Sequence, residues 1–155
     1  LASVPDIPLV IVSKKTKLQE ELEKQIKKLN LSDRVHIVNN VSNQDLPAVY
    51  QGASLCIYLS FFEGFGIPIL EGIASNIPVI AAKGSCLEEA GGDACAYCEP
   101  FDESELAKLI TKILSDEQMR NTMIAKGTQH IEKFKPEVSV ARLEKCYENL
   151  LKQRR

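Results

Sequence analysis

Short apolar runs alternate with longer amphipathic segments along the first hundred residues. Pro8-Leu9-Val10-Ile11-Val12 predicts a strand. Residues 15–30 then predict a helix, with Leu18, Leu22, Ile26 and Leu29 on one face and Glu20–Lys24 and Glu23–Lys27 pairs at i,i+4. A second strand is expected at 34–38, a helix at 45–51, a third strand at 54–59, a helix at 68–75, a fourth strand at 77–82 and a fifth at 94–97.

Beyond residue 100 the pattern is helical. Asp102-x-x-Glu105 has the spacing of a capping box ahead of Leu106, Leu109, Ile110, Ile113 and Leu114. Ser115-x-x-Gln118 predicts a second cap, for a helix running to about His130. Pro136 suits the first turn of a last helix, whose stripe is Val140, Leu143, Tyr147 and Leu150. The strands are continuously apolar rather than alternating, as a parallel sheet covered on both faces requires. The expected fold is α/β: a doubly wound, Rossmann-like parallel sheet flanked by helices, with a helical C-terminal end.

Composition narrows the function classes. The 155 residues, 45% hydrophobic, suffice for one well-buried domain, so residues 1–155 are read as a single unit. Nineteen Lys and Arg against 21 Asp and Glu give a net charge of -2, which offers no field for nucleic acid or an anionic membrane. No run is long enough to span a bilayer, and Leu1-Ala2-Ser3-Val4-Pro5-Asp6 is not a signal peptide. A start without Met suggests a domain of a longer chain.

Five scattered cysteines fit free thiols in a reducing cytosol better than a disulfide framework. Cys95 and Cys98 have CxxC spacing but no second pair. They are read as two side chains on opposite faces of a strand.

The candidate chemistry lies where the third strand meets a helix, in Ser60-Phe61-Phe62-Glu63-Gly64-Phe65-Gly66-Ile67-Pro68-Ile69-Leu70-Glu71. Two glycines let backbone approach a ligand, and the helix start offers unpaired N–H groups and partial positive charge, which suits a diphosphate. Glu63 and Glu71 flank this cradle. Carboxylates repel phosphate but accept hydrogen bonds from sugar and ribose hydroxyls, so the arrangement describes a nucleotide-sugar site. The ordinary alternative is a Gly-rich turn with Glu63 as a cap and Glu71 in solvent, and the residues alone leave both open. A Walker loop, a complete GxGxxG, a phosphoacceptor cluster and a G-x-S-x-G elbow are all absent.

Glu63-Gly-Phe-Gly-Ile-Pro-Ile-Leu-Glu71 resembles the signature of two glutamates seven residues apart in the family-4 retaining glycosyltransferases. Further segments are similar in order and distance: residues 29–35, Leu46-Pro47-Ala48-Val49-Tyr50, Asn76-Ile77-Pro78-Val79-Ile80-Ala81, Glu89-Ala90-Gly91-Gly92-Asp93-Ala94 and Gly127. The resemblance implies the C-terminal, donor-binding half of a GT-B architecture, with the N-terminal acceptor domain and the first strand region outside the chain.

By resemblance, Glu63 would serve catalysis at the donor sugar and Glu71 would hold the ribose hydroxyls. The amides of Gly64, Phe65, Gly66 and Ile67 would contact sugar and diphosphate. The loop Val38-Asn39-Asn40-Val41, through Asn39 and Val41, would lie against the base, with Leu46 as a further neighbour. The implied reaction moves a hexose-type sugar from a nucleotide-sugar donor to a glycan or lipid-linked acceptor, retaining anomeric configuration. No metal and no other cofactor is expected. The implied location is cytoplasmic. The short basic end at Lys152, Arg154 and Arg155 is read as solvated, with a peripheral membrane contact in an intact enzyme as its other use. A non-catalytic nucleotide- or sugar-binding module of the same fold is the competing function.

Four departures from the family pattern stand out. The segment where the family usually carries an Arg and a Lys for the diphosphate lies before the first strand and is absent. Ser13 replaces a common Gly, and Lys14 and Lys15 after it are read as a solvated helix start. Glu88 stands where Pro is common and Gly72 where Ala is common. His36 and His130 are read as structural, and Tyr58, Phe61 and Phe62 as core or cleft wall.

Overall fold

The computed structural model describes residue 4 and residues 6–153. Five parallel strands form in two sheets. In the first, β1 (Leu9–Ser13) pairs with β2 (Val35–Asn39), Leu9 opposite Val35 and Ser13 opposite Asn39. In the second, β4 (Val79–Ala82) lies between β3 (Cys56–Tyr58) and β5 (Ala96–Cys98). Among the described residues no ladder joins the two sheets, so the expected continuous sheet is interrupted.

The helices between strands are α1 (Lys17–Lys28), α2 (Leu46–Gln51), α3 (Ile67–Ala74) and α4 (Leu87–Gly91). After β5 come α5 (Glu103–Ser115), α6 (Glu117–Ile131) and α7 (Pro136–Gln153), with short 3-10 turns at Gly92–Ala94 and Glu132–Phe134. The short α4 was not anticipated. Its signal is Leu87, Ala90 and Gly91 at helical spacing, all buried.

The β4 strand anchors the core because it is buried on both faces. Val79 and Ala81 pack with Ile69, Ile73 and Leu87 on one side; Ile80 packs with Cys98, Ile110, Ile113 and Met123 on the other. Each fully buried Ile or Leu contributes about 1.5–3 kcal/mol of burial free energy. Cys95 packs against the first cluster and Cys98 lies in the second, so the CxxC pair does straddle the sheet. The first sheet is less covered: Val10 and Val12 are exposed although β1 is as apolar as β4.

Two caps differ from expectation. Asp102 does accept from the Glu105 N–H at 2.8 Å, but the Glu105 carboxylate takes the Glu99 N–H at 2.9 Å instead of returning to Asp102. The α6 cap is Asp116, which accepts from the Met119 N–H at 2.8 Å, and not Ser115. Ser115 hydroxyl donates back to the Thr111 carbonyl at 2.8 Å, so it is already used by the end of α5. The α7 stripe of Val140, Leu143, Tyr147 and Leu150 is exposed. No helix among the described residues is long and apolar enough to cross a membrane.

Candidate functional site

Parallel strands send the loops that follow them to one end of their sheet, and there the candidate residues gather. The loop from β3 to α3 is held at both edges. Gly66 is the N-cap of α3 and has φ +99, a left-handed conformation; a Cβ there would come within 2.6 Å of Leu87 Cδ2. Backbone conformation and the packing of α4 both require glycine at this corner. Gly64 is different. It is exposed, its φ is not positive, and a Cβ would meet nothing within 4 Å. Nothing in the fold demands glycine at 64.

Among the described residues, the N–H groups of Gly64, Phe65, Gly66 and Ile67 donate no hydrogen bond, and Pro68 has none to give. The first bond of the helix start runs from the Ile69 N–H to the Gly66 carbonyl at 3.0 Å. Four neighbouring donors therefore remain available at the positive end of α3. Phe65 is fixed by an edge-on contact with Phe134, their ring centroids 5.7 Å apart.

Each glutamate is anchored by a tyrosine. Tyr50, on α2, donates to Glu71 Oε2 at 2.9 Å. Tyr58, at the end of β3, donates to Glu63 Oε1. The Cys86 thiol donates to the Glu63 carbonyl at 3.1 Å, which fixes that residue's backbone as well. Both carboxylates are half-buried. In each, one oxygen is bound by a phenol and the other has no internal hydrogen bond among the described residues.

Burial, then the bond to Glu71 and its charge, pushes the Tyr50 phenol well above the usual tyrosine range. Burial and the Glu63 bond push Tyr58 up to about 12. Both phenols are therefore donors at neutral pH. Burial also raises Cys56 to about 11 and Cys95 to about 12, which keeps both thiols protonated and poorly nucleophilic.

Other expected residues stand apart. Asn39 ends β2, where its side-chain amide donates to the Ser13 carbonyl at 2.9 Å, and Val41 follows in the next loop, half-buried. Among the described residues no hydrogen bond or ring contact joins Asn39, Val41 or Leu46 directly to the 63–71 segment. The link is Tyr50, at the far end of the helix that Leu46 begins.

His130 is buried and its Nε2 lies 2.8 Å from the Ala90 carbonyl, tying α6 to α4 as a structural histidine does. Phe61 and Phe62 are exposed and so belong to the surface, not the core. Glu88 accepts from the Gly84 N–H at 3.3 Å, and the small Gly72 lets α3 approach Val79 and Cys56 closely. The sequence reading missed the tyrosine–glutamate pairing. Its only signal was that both tyrosines sit in apolar segments, where a buried hydroxyl needs an acceptor.

Among the described residues no group of three or more His, Cys, Asp or Glu is placed to hold a metal ion. A surface groove of about 690 Å³ runs along α6 between Glu117 and Gln129 and contains none of the candidate groups.

Residues 1–130 match the family model described as glycosyl transferases group 1. The O-antigen chain mannosyltransferase B of Escherichia coli is 33% identical over 100 residues, covering 64% of this chain and 26% of that enzyme. The sucrose-phosphate synthase of Thermosynechococcus elongatus superimposes with a TM-score of 0.84 at 25% identity, over 98% of this chain and 40% of that one. Anabaena Alr3699/HepE, solved in complex with UDP, superimposes with a TM-score of 0.76 at 26% identity, over 96% of this chain and 42% of that one. These solved structures carry the GT-B fold, of which the chain has the C-terminal-like part. The chain thus spans well under half the length of these relatives, and it belongs to the glycosyl transferases group 1 family.

Proposed function

We propose that this chain is the donor-binding half of a glycosyltransferase that takes a hexose-type sugar from a nucleotide-sugar. The observation that carries the reading is the pairing of each glutamate with a tyrosine. One carboxylate oxygen is locked in place, and the other remains free to accept a hydroxyl. A solvated carboxylate needs no such anchor; a positioned acceptor does. The complex of Alr3699/HepE with UDP supports the nucleotide part of the reading.

In this reading Glu71 accepts the ribose hydroxyls, and Glu63 faces the donor sugar. The N–H groups of Gly64 to Ile67 bind the diphosphate and sugar hydroxyls, and the open space at Gly64 admits the ligand to the backbone. As the bond from the anomeric carbon to the diphosphate breaks, negative charge grows on the leaving oxygen. The fixed N–H groups and the α3 dipole stabilise it without reorganising. An acceptor hydroxyl entering on the face that the diphosphate leaves, and giving its proton to the departing diphosphate oxygen, yields retained anomeric configuration. Most of the acceptor's binding falls to the part of the protein outside this chain, and Asn39 and Val41 are placed by resemblance beside the base.

Calorimetric titration with UDP, GDP and ADP, in EDTA, tests the proposal. Binding of at least one of them in EDTA is the expected result. Binding of none, or binding only after magnesium or manganese is added, would overturn it.

A further inference from the structure

The loop after β5 makes a turn that its sequence does not favour. The Asp102 N–H donates to the Glu99 carbonyl at 3.1 Å, closing a four-residue turn with Pro100 second and Phe101 third. Phe101 has φ +70. Proline followed by a positive φ is the type II pattern, whose third position is ordinarily glycine or asparagine. A phenylalanine held there is strained. The fold recovers little in return, because Phe101 remains 85% exposed.

The strained ring is positioned against another. Phe61, in the loop after β3, stacks on Phe101 with centroids 4.3 Å apart and an angle of 34°. Phe61 is 56% exposed and the adjacent Phe62 93% exposed. The three rings belong to two loops at the carboxyl ends of β3 and β5, and Glu63 follows two residues after Phe61. Glu99 precedes Phe101 by two residues and faces Lys83 at 3.6 Å.

We propose that Phe61 and Phe101, with Phe62 beside them, form a carbohydrate platform that takes the apolar face of a pyranose ring of the acceptor. The inference rests on the reading of Glu63 to Glu71 as the donor site, and adds a second sugar subsite at its edge. A pyranose has one face of C–H groups and a rim of hydroxyls. Aromatic faces carry partial negative charge and attract the C–H groups, while neighbouring carboxylates accept the hydroxyls.

The charges around the rings argue against a lipid surface. Glu63, Glu99 and Asp102 each stand within two residues of one of the rings in the chain, and Lys83 is already paired with Glu99 and Glu105. An anionic bilayer would be repelled, whereas a neutral sugar is not.

Saturation-transfer NMR on the 155-residue chain, with methyl α-D-mannopyranoside and maltose as probes, tests the platform. The measurement is made with and without whichever of UDP, GDP and ADP binds best. Transfer to ring C–H protons is expected in both conditions, together with shifts of the Phe61 and Phe101 resonances. Phe101→Gly removes the ring at a backbone position that glycine prefers. It should reduce the transfer at least fivefold while raising the Tm by about 2–4 °C. Phe61→Ala should reduce transfer similarly, with nucleotide affinity unchanged in both variants.

Transfer undiminished in Phe101→Gly would overturn the platform. So would absence of transfer to either sugar while nucleotide still binds, or phenylalanine-dependent binding to phosphatidylcholine vesicles in its place. Loss of nucleotide binding with sugar transfer intact would contradict the donor-site reading and leave the platform standing.

Discussion

Tyr50 donates its phenolic proton to Glu71 Oε2 at 2.9 Å, across the gap between α2 and α3. The bond orients a carboxylate that α3 alone would leave to rotate, and it leaves the second oxygen open. Tyr50→Phe removes only the hydroxyl. In the proposed site Glu71 then has more freedom, and nucleotide affinity should fall by about fivefold, equivalent to about 1 kcal/mol for one lost hydrogen bond. Calorimetry on the variant checks this; unchanged affinity would show that Glu71 needs no anchor.

Gly64 and Gly66 should separate function from folding. Gly64→Ala meets open space with an ordinary φ, so stability should hold or rise by about 0.4–1 kcal/mol while nucleotide binding weakens. Gly66→Ala meets Leu87 at 2.6 Å from a left-handed backbone, and should cost about 2–4 kcal/mol from strain and overpacking. Urea melts and nucleotide titration on each variant distinguish the two. Equal loss of stability in both would contradict the assignment of Gly64 to the ligand.

Stability should decline in alkali for a reason tied to the same tyrosines. In the unfolded chain a tyrosine loses its proton near pH 10. In the fold Tyr50, Tyr58 and Tyr97 are all raised, first by burial. The folded state therefore holds more protons than the unfolded state above pH 10, so stability is full below that pH and falls as pH rises toward 12 and beyond. Urea unfolding at pH 8, 10 and 11 measures the slope. The double variant Tyr50→Phe with Tyr97→Phe should flatten it, and an unaltered slope would assign the alkaline loss to other groups.

What the sequence disclosed follows from the range of the forces involved. β4 and α3 were readable because their signals are local: continuous apolar residues in one, proline and glycine at a helix start in the other. Glu63 and Glu71 were recognisable from spacing and resemblance. Their tyrosine partners were not, since Tyr50 reaches Glu71 only after α2 packs beside α3. The shift of the α6 cap from Ser115 to Asp116 likewise depends on Ser115 bonding back to Thr111, a choice between two local geometries that composition does not decide. The strained turn at Phe101 was hidden because Pro-Phe-Asp carries no glycine to mark a positive φ.

Binding without turnover is the expected behaviour of these 155 residues alone. Transfer requires donor and acceptor to be held together, and that positioning supplies a large part of the rate. A labelled nucleotide-sugar incubated with the purified chain and candidate acceptors should give at most trace hydrolysis. Efficient transfer would place all the catalytic groups within this chain.

The most direct measurement compares a nucleoside diphosphate with inorganic pyrophosphate on the wild type and Glu71→Ala. The carboxylate is assigned to hydroxyls and the α3 start to phosphate. Charge-assisted hydrogen bonds of this kind are worth about 1.5–3 kcal/mol. Calorimetry should therefore show the nucleotide bound tenfold or more weakly by the variant, with pyrophosphate affinity undiminished and the fold intact by circular dichroism. Equal weakening of both ligands, or no change in either, would contradict the account.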